Sequence, residues 1–144
     1  MATTLDRSIV VPGEMATVFD YIADFSNTAA WDPGIESARR TSPGPVGEGS
    51  TFELIADFMG RKLLTTYEVV EHQRPNRVVV RGGTSRFTST DTIVLEAENG
   101  DVRIGYNAVF ELKGVMSLAE PLLRSTFSKL ADKAVAGLQA TLSQ

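Results

Sequence analysis

Asp91 is the residue with the most chemical potential in this chain. It lies in the run RFTSTDTIVLEA, where Phe87, Ile93 and Leu95 fall on one strand parity. Ser89 and Asp91 share that parity, while Thr88, Thr90, Thr92 and Glu96 take the other. If the alternation is unbroken, Asp91 points inward. An inward carboxylate raises its pKa, finds a donor, or meets water or a ligand. The competing reading places Asp91 at the sheet rim, or turns it outward through a bulge. Tyr106, in VRIGYNAVFEL, brings a hydroxyl from an inward position that could pair with Asp91 or a ligand carbonyl. A Tyr–Asp pair in a dry interior suits cyclisation or dehydration, which move a proton near an enolisable carbonyl.

Other catalytic templates fail. The chain has no cysteine, which excludes disulfides, thiolate metal sites and cysteine nucleophiles. Its single histidine, His72, reads as an exposed strand-end residue before the RPN turn. With no second His and no Cys, a histidine-rich zinc site has no ligands, so no metal is expected. A nucleophilic triad through His72 has no support in the surrounding residues. GEG and GGTS lack the strand–glycine loop–helix setting of a phosphate cradle and read as turns, so no cofactor is expected.

Composition narrows the classes further. A chain of 144 residues with 42% hydrophobic and 22% charged residues is long enough for one packed core, so residues 1–144 are expected to form a single domain. The net charge of -4 argues against nucleic acid or anionic lipid headgroups as main partners, since both need a concentrated positive face. ARR at 38–40 and GRK at 60–62 are too short for such a stripe. No run approaches a membrane span and no leader pattern is visible, so a soluble, cytoplasmic protein is expected. Monomer and dimer both stay open.

The elements that must position these residues follow from periodicity. Thr4 to Val11 reads as a strand ending at PG. Met15, Val18, Phe19 and Ile22 then mark one face of a helix running to about Ala23. Ser26 reads as the N-cap of a very short second helix, NTAAW, stopped by DPG. The lone tryptophan, Trp31, ends that turn of helix. From Ile35 to Leu112 about six strand-like runs alternate with turn signals, ENGD and DFMGRK reading as hairpin connections. Val102, Ile104, Tyr106, Ala108, Phe110 and Leu112 share one strand face; Phe52, Leu54, Ala56 and Phe58 share another. From about Ser117 to Ser143 the tail reads as a helix with Leu123, Phe127, Leu130, Ala134 and Leu138 in one apolar stripe and Pro121 in its first turn. That stripe needs an apolar surface, which the inward strand faces supply.

Strand, helix, short helix, six strands and a long helix, together with VFDYIADFSNTAAWDPGIES, PGPVGEGSTFEL, TYEVVEHQRPNRVVVRG, DTIVLEAENGDVRIGY and ELKG, resemble the START/Bet v 1-like (SRPBCC) superfamily, in particular its polyketide cyclase/dehydrase-like branch. These segments span Val18 to Gly114. One departure is NGD at 99–101, where relatives usually carry Gly-Thr; a turn substitution without functional effect is expected. The resemblance implies an α+β helix-grip fold: a curved antiparallel sheet of about seven strands around a long C-terminal helix, two short helices after the first strand, and a cavity for a hydrophobic ligand. It adds Tyr67 and Val69 to the inward set, and Tyr67 becomes a second hydroxyl candidate beside Tyr106. It implies for Trp31 a role closing the short-helix end, as a plug that also touches ligand.

The expected ligand-binding set is therefore Trp31, Phe52, Leu54, Phe58, Tyr67 and Phe87, with Ser89, Asp91, Tyr106, Phe110, Leu123 and Phe127. Plain core packing is the competing reading for each aromatic. Three functions fit. The first is a binding protein for a lipid, polyketide or isoprenoid. The second is a cyclase, aromatase or dehydratase using Asp91, Tyr106 and Tyr67. The third is a protein-interaction module with a collapsed interior.

Overall fold

The computed structural model describes residues 2–144. Strand β1 (Ala2–Val11) leads into helix α1 (Met15–Ala23), a 3-10 turn (Phe25–Asn27) and the one-turn helix α2 (Thr28–Trp31). Six strands follow: β2 (Ile35–Arg40), β3 (Thr51–Phe58), β4 (Arg61–Gln73), β5 (Arg77–Gly83), β6 (Phe87–Glu98) and β7 (Asp101–Leu112). A 3-10 segment (Gly114–Ala119) then opens helix α3 (Glu120–Leu142). Among the described residues the strands form one antiparallel sheet in the order β1-β7-β6-β5-β4-β3-β2, so a meander from β2 to β7 is closed by the first strand.

The hairpins form where turn chemistry allows. Met59 and Gly60 join β3 to β4, and Asn99 and Gly100 join β6 to β7, each pair with both φ angles positive. That is the two-residue geometry whose twist matches paired strands. Inward parity holds along β7, where Val102 and Ile104 are buried, and along β3, where Phe52 and Leu54 are.

Helix α1 buries Val18, Phe19 and Ile22, the spacing its sequence carries. The cap of the next turn differs from expectation. Asp24, not Ser26, accepts the capping N–H from Ser26, and the Ser26 hydroxyl also donates to it. One Asp24 oxygen takes both donors, so Ser26 serves here as a donor and not as the cap. His72 is likewise not an exposed strand end: it is half-buried, edge-on to the Phe19 ring at 5.2 Å between centroids.

Helix α3 runs alongside β1. Arg7 ties the two together, donating to Asp132 at 2.6 Å and to the Ser128 hydroxyl at 2.9 Å, and Gln139 donates to the Val10 carbonyl. The expected helix start at Ser117 falls inside the 3-10 segment; Pro121 sits in the first turn of α3, where its missing N–H costs nothing. The main core lies under α1, α2 and the second half of α3, centred on Phe19, Ile22, Trp31, Phe52, Ile93, Ile104 and Leu138.

Candidate functional site

Strand β6 is unbroken opposite β7 and pairs without a bulge from Phe87 to Glu98, so its parity is kept and Asp91 points inward. The rim and bulge alternatives are thereby set aside. Asp91 is buried, and two hydroxyls donate to it: Tyr106 at 2.5 Å to one oxygen and Ser89 at 2.9 Å to the other. Burial pushes the Asp91 carboxyl above its ordinary range, and the two donors pull part of the way back. Burial, then the Asp91 charge, raises the Tyr106 hydroxyl, so the proton stays on the tyrosine side of this short bond.

Tyr67 reaches the same cluster by a different route. Its cross-strand partner is Gly82, and Gly82 in turn pairs with Ser89. A Cβ on Gly82 would lie 2.5 Å from the Tyr67 ring and 2.3 Å from the Thr66 carbonyl, so the ring lies across the glycine as it heads for Ser89. Gly82→Ala is expected to lower stability by about 1–3 kcal/mol through this overlap, measured by thermal denaturation. A melt equal to wild type would show that the ring does not lie there. Burial also raises the Tyr67 hydroxyl. In this structure Tyr67 engages Ser89, while Tyr106 is the partner of Asp91.

The sequence reading missed one acidic member. Asp32 follows Trp31 and accepts the Gly34 N–H at 2.8 Å, the Asx turn that DPG encodes. Burial, opposed by that hydrogen bond and reinforced by the Asp91 charge, pushes its carboxyl from 3.8 up to about 6. Its field also acts on Tyr67 and Tyr106, which places it beside the same cluster. The signal was present in DPG, but only as a helix stop. Trp31 is buried with its ring edge-on to Tyr106, 6.3 Å between centroids, and its indole N–H has no acceptor among the described residues. An orphaned buried donor is uncommon, and here it sits on the ring that borders two carboxylates.

The remaining predicted residues divide into two groups. Phe52 and Leu54 are buried in the main core, Phe52 against Phe25. Phe58, Phe110 and Phe127 come together at the other end: Phe127 stacks on Phe110 at 4.9 Å and on Phe58 at 5.7 Å. Phe87 and Leu123 lie half-buried on the inward faces of β6 and α3. The open cavity expected between sheet and helix is therefore occupied in part by the Phe127 ring. The surface depressions lie elsewhere, one of about 370 Å³ beside Arg86 and Lys113 and one of about 160 Å³ on the outer face of β2–β4. Inward residues nonetheless keep accessible surface: Tyr67 and Tyr106 are only half-buried, though burial dominates the behaviour of their hydroxyls.

A second missed carboxylate is Glu120. It is fully buried in the first turn of α3, neither oxygen accepts a hydrogen bond among the described residues, and the Arg124 guanidinium stands 4.0 Å away. No group of three or more acidic, histidine or cysteine side chains able to hold a metal occurs among the described residues.

Comparison with known proteins places this geometry. No curated protein matches the chain by sequence. Among solved structures, the Zhui aromatase/cyclase from Streptomyces sp. R1128 superposes with a TM-score of 0.83 at 10% identity, over 99% of this chain and 94% of that one. A START superfamily protein from Mycobacterium smegmatis gives 0.81 at 10% identity, over 97% of each chain. A protein from Thermus thermophilus gives 0.75 at 18% identity, over 99% and 97%. At these identities the likeness is one of fold, the helix-grip arrangement of the START/Bet v 1 superfamily. The sequence profile of one family within it matches residues 2–143, and the chain belongs to that family, polyketide cyclase/dehydrase and lipid transport.

Proposed function

We propose that residues 1–144 act as one ligand-binding domain for a small, mainly apolar molecule carrying a carbonyl or hydroxyl oxygen. Its apolar body lies against the Phe58–Phe127–Phe110 stack, and its oxygen meets the cluster of Tyr106, Asp91, Ser89, Tyr67 and Trp31. The supporting observation is that cluster itself: four hydroxyl and carboxyl groups and an unpaired indole N–H on a face otherwise apolar. Pockets of this make-up, greasy with a few convergent polar groups, select ligands by shape and one or two hydrogen bonds. Lipids, polyketides and isoprenoids all carry that combination.

Trp31 is the only tryptophan, so its emission reports on the site directly. Titration with fatty acids and planar polyphenols is expected to give a saturable change in Trp31 fluorescence and a rise in melting temperature that tracks ligand concentration. Absence of both across the panel, with nothing bound in denaturing mass spectrometry of the purified protein, would sink the proposal.

The Tyr106–Asp91 bond favours a second reading, a cyclase, aromatase or dehydratase. A carboxyl with raised pKa, bonded at 2.5 Å to a tyrosine hydroxyl, can pass its proton to that hydroxyl oxygen as the hydroxyl gives its own to a carbonyl seated against it. Asp91→Asn keeps the shape and removes the acid. With a poly-β-ketone substrate it should lower turnover by about 10²–10⁴-fold while Trp31 still reports binding. Unchanged turnover would take Asp91 out of the mechanism.

A further inference from the structure

The 3-10 segment and the first turn of α3 expose what a folded protein normally covers. Val115 is 84% exposed, Leu118 81% and Leu122 83%. Their spacing of three and then four residues aligns them on one side of the segment, because side chains three apart eclipse in a 3-10 turn and those four apart stack in an α-helix. Met59, at the tip of the β3–β4 hairpin, is 70% exposed. It lies at the same end of the molecule, since its neighbour Phe58 stacks on Phe127 of α3. Single exposed apolar side chains need no explanation, but a cluster at one end of the fold does.

Charge tells what the cluster fits. The depression beside it is lined by Arg86, Lys113 and Val115, and both cations are exposed. Neither forms an ion pair with the carboxylates of the described residues. Glu111 is the exposed acid next to them, and Glu120, the other acid of the segment, is fully buried and adds nothing to the surface. Exposed apolar side chains beside Arg86 and Lys113 suit the boundary of a bilayer bearing anionic headgroups, where the side chains enter the acyl region and the cations stay at headgroup level. A protein partner would need to cover roughly 800 Å², more than four exposed apolar side chains supply. The overall charge of -4 does not exclude this, because Arg86 and Lys113 act locally whereas cations such as Arg7, Arg74 and Arg103 are paired with carboxylates elsewhere.

We propose that this end of the protein docks peripherally on anionic membranes, through Val115, Leu118, Leu122 and Met59 with Arg86 and Lys113 as headgroup contacts. No helix is long and apolar enough to cross a membrane, so the contact is interfacial. Phe58, Phe87, Phe110 and Leu123, inward residues near this end, are half-buried, so a docked protein turns partly accessible apolar side chains toward the bilayer. Docking itself does not depend on the ligand reading: it is read by flotation, whereas ligand binding is read by Trp31 emission in solution.

The experiment is flotation of the full chain with vesicles of phosphatidylcholine containing a quarter phosphatidylglycerol, against vesicles of phosphatidylcholine alone. Binding is expected to the anionic vesicles, falling as salt rises. Leu118→Asp with Leu122→Asp should weaken it on the order of a hundred-fold; both sites are exposed, so the melting temperature should stay near wild type. Arg86→Glu with Lys113→Glu should abolish the preference for anionic lipid. No flotation with either lipid, or flotation unchanged in the aspartate variant, overturns the proposal. So does self-association in sedimentation that the aspartate variant removes without any vesicle binding, because a second copy then covers the patch.

Discussion

Gly137→Ala is expected to lower the stability of the protein, although alanine is the better helix former. Gly137 lies well inside α3, where glycine costs about 1 kcal/mol relative to alanine. Propensity alone therefore predicts that the substitution stabilises. The structure predicts the opposite sign. A Cβ at this position would stand 2.0 Å from the Trp31 carbonyl oxygen, 3.2 Å from its carbon and 3.5 Å from Pro33. The obstructing atoms are backbone and a proline ring, which cannot rotate away as a flexible side chain could. α3 has to lift from α2, and overpacking of this kind costs about 1–3 kcal/mol or more. With the propensity gain of about 1 kcal/mol subtracted, a net loss of up to about 2 kcal/mol is expected, or up to roughly 4–8 °C in melting temperature for a domain of this size. Trp31 should report the same event, since its ring would shift from its edge contact with Tyr106 and its emission would move to the red. A variant that melts higher than wild type would show that α2 and α3 do not touch at this point.

That contact shows what one-dimensional reading could and could not reach. Periods of two and of three to four residues carry the fold: β7 and α1 bury the faces their sequences mark, and Asn99–Gly100 turns where its residue types allow. The inward parity of Asp91 was legible by the same logic, but a rim or bulge placement stayed open until the unbroken pairing from Phe87 to Glu98 decided it. Asp32 was not legible. Its orientation depends on α2 packing beneath α3, a contact between segments about a hundred positions apart in the chain, and within its own run DPG signals only a stop. Glu120 escaped for a related reason: at a helix start acidic residues are ordinary surface groups, and only tertiary packing buries this one. The Phe58–Phe127–Phe110 stack is invisible to pattern as well. Periodicity says that three rings face inward, but not whether they leave a space or fill it.

The filled stack changes what ligand entry requires. On the proposed reading, a flat guest would lie against Phe110 and Phe58 where Phe127 now lies, so its entry would require that ring on α3 to move. The polar cluster stays fixed meanwhile, because Ser89, Asp91 and Tyr106 belong to two adjacent central strands. A rigid polar end and a yielding aromatic end is an arrangement that tolerates ligands of different bulk while holding one oxygen in place.

The carboxylates beside that fixed end set the expected dependence of stability on pH. Asp32 is raised from 3.8 to about 6 on folding, and Asp91 is raised as well, each by burial first. A carboxyl with a raised folded pKa binds its proton more tightly in the native state than in the unfolded chain. Below about pH 4 both states are protonated and nothing is lost; as pH rises through the window between 3.8 and about 6 the native state must release a proton it prefers to keep, and stability falls. For Asp32 alone that shift corresponds to about 3 kcal/mol. Asp32→Asn should therefore leave stability near wild type at pH 4 and raise it by up to about 3 kcal/mol at pH 8. The amide oxygen still accepts the Gly34 N–H, so the turn survives. Urea denaturation of both proteins across this range measures the difference directly. Parallel pH profiles, or a variant less stable at pH 8, would mean that Asp32 stays solvated in the native state. A buried carboxyl raised in this way is the kind of group that accompanies functional sites, which supports the proposed reading of the cluster.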